Sequence, residues 1–336
     1  MTETTVVLLP GDGVGPELAH EARLALQLLA PDVTIEEHLL GGAAIRATGT
    51  SLPDETLVAC RAAAAVLKAP IGDPAFDAQD NRPEVGMLRL RAELDTYANL
   101  RPATGGDIDV LIVRELVGGL YFGARGVRDD GTVYDTCEYH PSQIERVVRR
   151  GFELARTRRG YLLSVDKANV LDTSRLWRRI VDSVSADYPE VEVEHMLVDN
   201  CAMQLATQPE RFDVLVTENM FGDILSDLAA AVSGGLGLAP SACLSDSGPS
   251  IFEPVHGSAP DIAGRGIANP AAMLRSTALL FEHGLGRPAE AATLARAVDR
   301  GLELAPTPDL GGGATTAELG AAIRAQLAVD AAGSGA

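Results

Sequence analysis

Hydrophobic positions along the chain fall into two alternating patterns. Short runs rich in branched residues at 5–9, 64–67, 110–113, 162–165, 191–198 and 214–216 read as buried strands, and the longer stretches between them carry helical patterns. Runs that are apolar throughout need cover on both faces, which predicts an α/β fold with helices packed on a mostly parallel sheet. Sheets of that kind place their chemistry at the carboxyl ends of strands, where Arg114, Asp166, Lys167 and Asp199 stand; salt-bridged strand ends are the plain alternative. The segment 117–139, glycine-rich and charged with interspersed aromatics, predicts either a hairpin arm or a surface loop. No repeat or linker marks a domain boundary, and the small residues of 331–336 predict a disordered tail.

Composition narrows the function classes. A chain of 336 residues exceeds the size at which one core usually keeps growing, so two domains or one large doubly wound unit is expected. With 28 basic against 47 acidic residues the formal charge is -19, which repels phosphate backbones and anionic lipid and argues against nucleic-acid and membrane partners. A few arginines in one cleft can still reverse that potential for a small anion. The N-terminus has no basic stretch leading into an apolar core, and no apolar run of about 18 residues occurs, so a cytoplasmic protein is expected. Cys60, Cys137, Cys201 and Cys243 lie far apart, so they read as reduced, buried thiols and signal neither zinc nor disulfides.

Several segments carry candidate chemistry. L-P-G-D-G-V-G-P-E follows a strand and opens a helix, but glycines at 11, 13 and 15 do not match a dinucleotide fingerprint; a phosphate cradle and a tight strand-to-helix turn both remain open. In F-G-D-I-L-S-D-L-A-A-A-V, Asp223 and Asp227 would share one helix face, with Ile224, Leu228 and Val232 forming a neighbouring apolar face. Such a pair suits Mg²⁺ or Mn²⁺, or is simply two solvated carboxylates. Arg91, Arg101 and Arg114 could grip a dicarboxylate through bidentate bonds, and Arg91 beside Glu93 could equally be a surface residue. Lys167 could serve as a base or as half of an ion pair with Asp166 or another acid. F-E-P-V-H-G-S-A-P-D-I-A-G-R-G-I-A-N-P strings turn formers around His256, Asp261 and Asn269 and suits an anionic ligand.

Taken in order, L-P-G-D-G-V-G-P-E, A-N-L-R-P, V-L-I-V-R-E-L, G-G-L-Y-F-G, S-V-D-K-A-N-V-L, V-D-N-C-A-M-Q-L, F-G-D-I-L-S-D and F-E-P-V-H-G-S-A-P-D-I-A-G resemble the β-decarboxylating dehydrogenases over about residues 4–325. The resemblance is closest to the isopropylmalate branch, with the homoisocitrate branch next. It implies a two-domain fold without a standard Rossmann unit: residues 1–96 plus 234–336 form a first domain with the NAD loops, and 97–233 a second with the dimerisation elements, the arm and the metal-binding helix. It also implies a homodimer with shared active sites.

Carried over by position, the resemblance implies that Arg91, Arg101 and Arg114 bind the malate carboxylates and that Asp223 and Asp227, with Asp199 of a second subunit, hold Mg²⁺ or Mn²⁺. Asp223 would also touch substrate, Lys167 would be the base, and Tyr121 would relay the proton that quenches the enolate. Glu84 and the turn 12–14 match positions near the nicotinamide, and His256, Gly257, Ser258, Ala259, Asp261 and Asn269 match the adenosine loop. The pair Asp261–Ile262 stands where NADP-using relatives carry Lys–Tyr, which implies NAD.

Met87 and Leu88, before Arg91, imply an alkyl substituent and oxidative decarboxylation of 3-isopropylmalate; homoisocitrate and an aryl- or phosphonate-bearing malate are the alternatives. Arg89 in place of a small residue, and a short connection at 103–108, depart from the pattern; Arg89 could contact a different substituent. A non-catalytic regulatory subunit, the remaining alternative, conflicts with the presence of Tyr121, Lys167, Asp199, Asp223 and Asp227 together.

Overall fold

The computed structural model describes residues 4–106 and 108–333, with side chains described as far as residue 328. Among them twelve strands follow in chain order: β1 (Thr4–Leu9), β2 (Val33–Glu37), β3 (Ala65–Lys68), β4 (Ala98–Gly105), β5 (Ile108–Glu115), β6 (Arg125–Val127), β7 (Val133–Asp135), β8 (Tyr161–Asp166), β9 (Glu192–Leu197), β10 (Val214–Thr217), β11 (Pro240–Leu244) and β12 (Ser250–Pro254). The chain divides into two compact units, residues 1–95 with 236–336 and residues 96–235.

In the first unit five strands run in the order β2-β1-β3-β12-β11. Neighbours are parallel except β11, which pairs antiparallel with β12 through Ser241↔Glu253 and Cys243↔Ile251. The second unit repeats this plan as β9-β8-β10-β5-β4, parallel except for the antiparallel hairpin of β4 with β5. The result is a mixed sheet flanked by helices. β3 and β10 are buried at every position, as continuous apolar runs require. In the second unit Val110, Ile112, Leu163, Val165 and Leu215 of the sheet meet Cys201, Leu205, Leu225 and Ala229 of two helices in one core cluster.

Several expectations need correction. The run at 191–198 ends its strand at Leu197, and Val198 opens the helix Val198–Thr207, so Asp199 lies in a helix first turn rather than at a strand end. The helix Asn219–Val232 buries Phe221, Leu225 and Ala229, whereas Ile224 on the expected apolar face is 58% exposed. Cys60, Cys201 and Cys243 are buried, but Cys137 is only half-buried near the Thr173 hydroxyl. Residues 331–333, expected to be disordered, belong to the last helix, Thr316–Gly333; 334–336 lie outside the described residues. The excursion 117–139 contains the antiparallel pair β6–β7, a hairpin.

Candidate active site

In the second unit, two arginines and a tyrosine converge on one helix. Arg114, near the end of β5, is 1% exposed; its Nε and Nη2 donate to Asn219 Oδ1 at 3.0 and 2.8 Å, and its Nη1 donates to Asp223. Gly222 permits this approach, because a Cβ there would lie 2.6 Å from Arg114 Cγ. Arg101 on β4 reaches the same face: Nη1 donates to Ser226 Oγ at 2.7 Å and lies 3.2 Å from Asp223 and 3.4 Å from Asp227, while Nε holds Asn99 Oδ1 at 2.9 Å. Tyr121, following β5 in a short 3₁₀ turn, donates its hydroxyl to Asp223 Oδ2 at 3.0 Å.

The titration behaviour follows from this geometry. Burial works to raise the Asp223 carboxyl, but the charges of Arg114 and Arg101 outweigh it and hold the group below its ordinary value. Asp227 moves upward, first through burial and then through the charge of Asp223, with Arg101 opposing. Burial and the Asp223 charge push the Tyr121 phenol up, so it stays a proton donor at neutral pH. Asp223 and Asp227 therefore present oxygen donors of the kind hard divalent cations take, and their charge is balanced by arginines. Among the described residues, no three His, Cys, Asp or Glu side chains come together as a metal site. The pair fits such an ion only as part of a larger ligand set.

Lys167 and Asp199 form a separate couple. The lysine follows β8 directly and pairs with Asp199, not with its neighbour Asp166, which is buried under a two-pronged contact from Arg178 at 2.9 Å. The hydrogen bond from Lys167 lowers the Asp199 carboxyl.

In the first unit the helix Pro83–Glu93 divides the substrate candidates by face. Met87 is only 5% exposed, Leu88 is half-buried and Glu84 exposed. Arg89 is exposed and pairs with Asp54 at 3.1 Å and Glu93 at 3.9 Å. Arg91 is neither a surface residue nor a partner of Glu93. Its Nη2 donates to Glu253 at 2.8 Å, and the buried Glu253 also meets Lys68 Nζ at 2.7 Å. Burial alone would raise Glu253, yet Lys68 and Arg91 hold it far below the usual carboxylate range.

Two cations, Lys68 and Arg91, thus share the one buried carboxylate of Glu253. Sequence reading missed Lys68 because β3 reads as a plain apolar strand; its one signal was a lysine at that strand's end. Lys68→Met should lower the thermal midpoint, corresponding to about 2 kcal/mol, because Glu253 keeps only part of its compensation. A melting curve identical to that of the parent chain would show that the pair contributes nothing.

The loop following β12 carries the other candidates. His256 is pinned by its Nδ1 contact with Gly257 O at 3.0 Å, and its buried Nε2 has no hydrogen-bond partner; burial lowers its pKa, so the ring is neutral. Ala259 holds a left-handed φ of 41°, a strained conformation of the kind found at ligand sites. The loop is joined to the first turn of the chain by Val14 N–H donating to Ser258 O at 2.9 Å. Asp12 accepts from Gly42, Ala43 and Gly72 at 2.9, 2.8 and 3.0 Å, so its carboxylate braces the turn. Asn269 is likewise committed, accepting from Ala271 N at 2.9 Å and donating to Asp309 at 3.1 Å. Asp261 is exposed. The unpaired imidazole nitrogen and the strained backbone fit a nucleotide, whose base and phosphates offer both acceptors and donors.

Comparison with known proteins places this geometry among others. The sequence profile of a family described as isocitrate/isopropylmalate dehydrogenase matches residues 5–323. A 3-isopropylmalate dehydrogenase of Oceanobacillus iheyensis is 50% identical over 318 residues, 88% of this chain and 87% of its own. Another, of Zymomonas mobilis subsp. mobilis, is 47% identical over 348 residues, 96% of this chain and 99% of its own. Among solved structures, isocitrate dehydrogenase from Methylococcus capsulatus aligns with a TM-score of 0.90 at 37% identity, covering 96% of this chain and 99% of that one. A β-decarboxylating dehydrogenase from Thermococcus kodakarensis, in its apo form, gives 0.82 at 36% identity, covering 96% of each chain.

Proposed function

Because this chain belongs to the isocitrate/isopropylmalate dehydrogenase family, we propose that it oxidises and decarboxylates 3-isopropylmalate with NAD and Mg²⁺ or Mn²⁺, giving 4-methyl-2-oxopentanoate, CO₂ and NADH. The observation that carries this reading is the convergence of Arg101, Arg114 and Tyr121 on the carboxylate of Asp223. It combines cations for a dicarboxylate, an anion for a metal and a protonated phenol. The half-buried Leu88 supports an alkyl substituent, since a second distal carboxylate would find no cation at that position.

In this reading Arg91, Arg101 and Arg114 hold the two carboxylates, so the C2 hydroxyl is presented in one orientation. Asp223 and Asp227, with Asp199 of a second subunit, would hold the divalent ion; NAD would supply the hydride acceptor and the ion Lewis-acid stabilisation of the enolate. Lys167, also from the second subunit, accepts the hydroxyl proton as the C2 hydride leaves. The product keto acid then breaks its C3–carboxylate bond, and Tyr121 donates the proton that completes C3. Within one chain Lys167 pairs with Asp199, and the exposed Ile224 lies beside Asp223 on the helix; both features support a homodimer with shared sites. The arm 117–139 and the exposed Val127 and Val133 on it support the same assembly.

His256, Gly257, Ser258, Ala259, Asp261 and Asn269 would line the adenosine end, with Glu84 and the turn 12–14 toward the nicotinamide. An exposed carboxylate at Asp261 suits two ribose hydroxyls and repels a 2′-phosphate. The test is a panel of isopropylmalate, benzylmalate, isocitrate, homoisocitrate and phosphonomethylmalate, each with NAD or NADP and Mn²⁺, following reduced cofactor and CO₂. Isopropylmalate should give the highest kcat/KM, with NAD favoured over NADP by roughly 100-fold. Turnover confined to another substrate, or a preference for NADP, would overturn the corresponding part of the proposal.

A further inference from the structure

We infer that Tyr139 is a positioning residue for the proton donor Tyr121, acting from behind the site as the common support of the elements that carry Arg114, Tyr121 and Asp223. Its hydroxyl accepts the Asn219 N–H at 3.0 Å and faces Glu218 Oε2 at 3.4 Å. Both partners stand at the start of the helix Asn219–Val232, and Glu218 caps that helix through Oε1, which accepts the Phe221 N–H at 2.7 Å. Tyr139 therefore sets where the helix begins, and with it the depth at which Asp223 sits one turn later.

The same ring bears on the other two elements. The loop after β5 runs across it at Gly118 and Gly119: a Cβ on Gly118 would lie 2.7 Å from the ring, and one on Gly119 would strike the hydroxyl. That loop is stretched between Glu115, whose buried carboxylate accepts the Val117 and Gly118 N–H groups at 3.0 and 2.9 Å, and Asn219, whose amide donates to Gly118 O at 3.0 Å. Asn219 Oδ1 is also the acceptor that fixes Arg114. From Gly118 the chain needs three more residues to reach Tyr121. Trp177 braces the far side of the ring edge-on, with centroids 6.2 Å apart, so the ring has a fixed seat.

Burial, together with the flanking carboxylates Glu115 and Glu218, holds the Tyr139 phenol far above its ordinary pKa. It is consequently neutral at any working pH and always able to accept from Asn219. Among the described residues its hydroxyl bonds Asn219 and Glu218 rather than Asp223 or Tyr121, so its influence passes through Asn219 and the glycine loop.

This inference rests on the reading of Tyr121 as proton donor, and a double-mutant cycle separates the two. Tyr139→Phe keeps the ring and removes the hydroxyl. It should lower kcat roughly tenfold with KM changed by less than about threefold, and lower the residual kcat of Tyr121→Phe by less than about twofold. Equal factors in the two backgrounds would show that Tyr139 does not act through Tyr121 and would overturn the inference. If Tyr121→Phe alone left turnover intact, the proton-donor reading itself would fall. Gly118→Ala, which presses on the same ring from the loop side, gives a second variant should the phenylalanine protein fold poorly. It too should lose its effect in the Tyr121→Phe background, and a full effect there counts against the inference.

Discussion

Asp223→Asn is expected to lower kcat by roughly 1000-fold at low divalent-ion concentration, with part of the loss restored as the ion is raised. Asparagine keeps the volume and one acceptor oxygen, so the Tyr121 hydroxyl retains a partner and the helix face stays filled. What disappears is the charge. Arg114 and Arg101 both lie against that carboxylate, and without it two guanidinium groups face a site meant to receive a cation. The ion must then bind against their repulsion with one fewer anionic ligand, which weakens affinity first and turnover with it. The measurement is kcat against Mn²⁺ concentration for both proteins. A variant that loses turnover but keeps the parental metal dependence would remove Asp223 from the ligand set, while leaving its contact with Tyr121 as the explanation of the loss.

The second large effect concerns assembly. Lys167→Met and Asp223→Asn proteins should each be nearly inactive, yet co-refolding equal amounts should recover about a quarter of the parental turnover, since half of the dimers are mixed and one of the two sites in each is free of both changes. The reasoning starts from the separation of the groups: Lys167 holds Asp199, and no third carboxylate or imidazole joins Asp223 and Asp227 within the described residues. If one chain supplied a whole site, every site in a mixed dimer would carry one defect and nothing would be regained. Purifying the mixed species through two different affinity tags makes the distinction sharp, because it should then show about half of the parental activity per dimer. Recovery near zero with mixed dimers demonstrably present would sink the shared site.

The strands that sequence pattern revealed are those that carry an apolar stretch. β1, β3, β5, β8 and β10 could be read because the apolar residues 6–9, 65–67, 110–113, 162, 163, 165 and 214–216 are buried, while Lys68, Arg114, Glu115, Asp166 and Thr217 come at the strand ends. β4, β11 and β12 could not, because they place Asn99, Arg101, Ser241 and Glu253 in the interior, and such residues are tolerated only where tertiary partners meet them. The same reason hid Lys68. For the helix Asn219–Val232 the difficulty was different: its small and apolar residues run nearly all round, so periodicity named Ile224, Leu228 and Val232 while packing selected Phe221, Leu225 and Ala229. A helix with two apolar faces has one to bury in its own core and one left for something else.

By itself the sequence determined the α/β class, the i, i+4 placement of Asp223 and Asp227 and the run of turn formers around His256, since each depends on local spacing or backbone preference; the hairpin at 117–139 and the strain at Ala259 emerged with the structure. It also carried the ordered motifs from which family membership follows. Only the tertiary structure decided that Arg101 and Arg114 share one carboxylate, that Arg91 turns to Glu253, which Lys68 also meets, that Lys167 chooses Asp199 over Asp166, and that Tyr139 stands behind all three working elements. The physical reason is that charge pairing and burial depend on distances through space, and a chain that returns to the same place after a hundred residues leaves no trace of that meeting in its spacing.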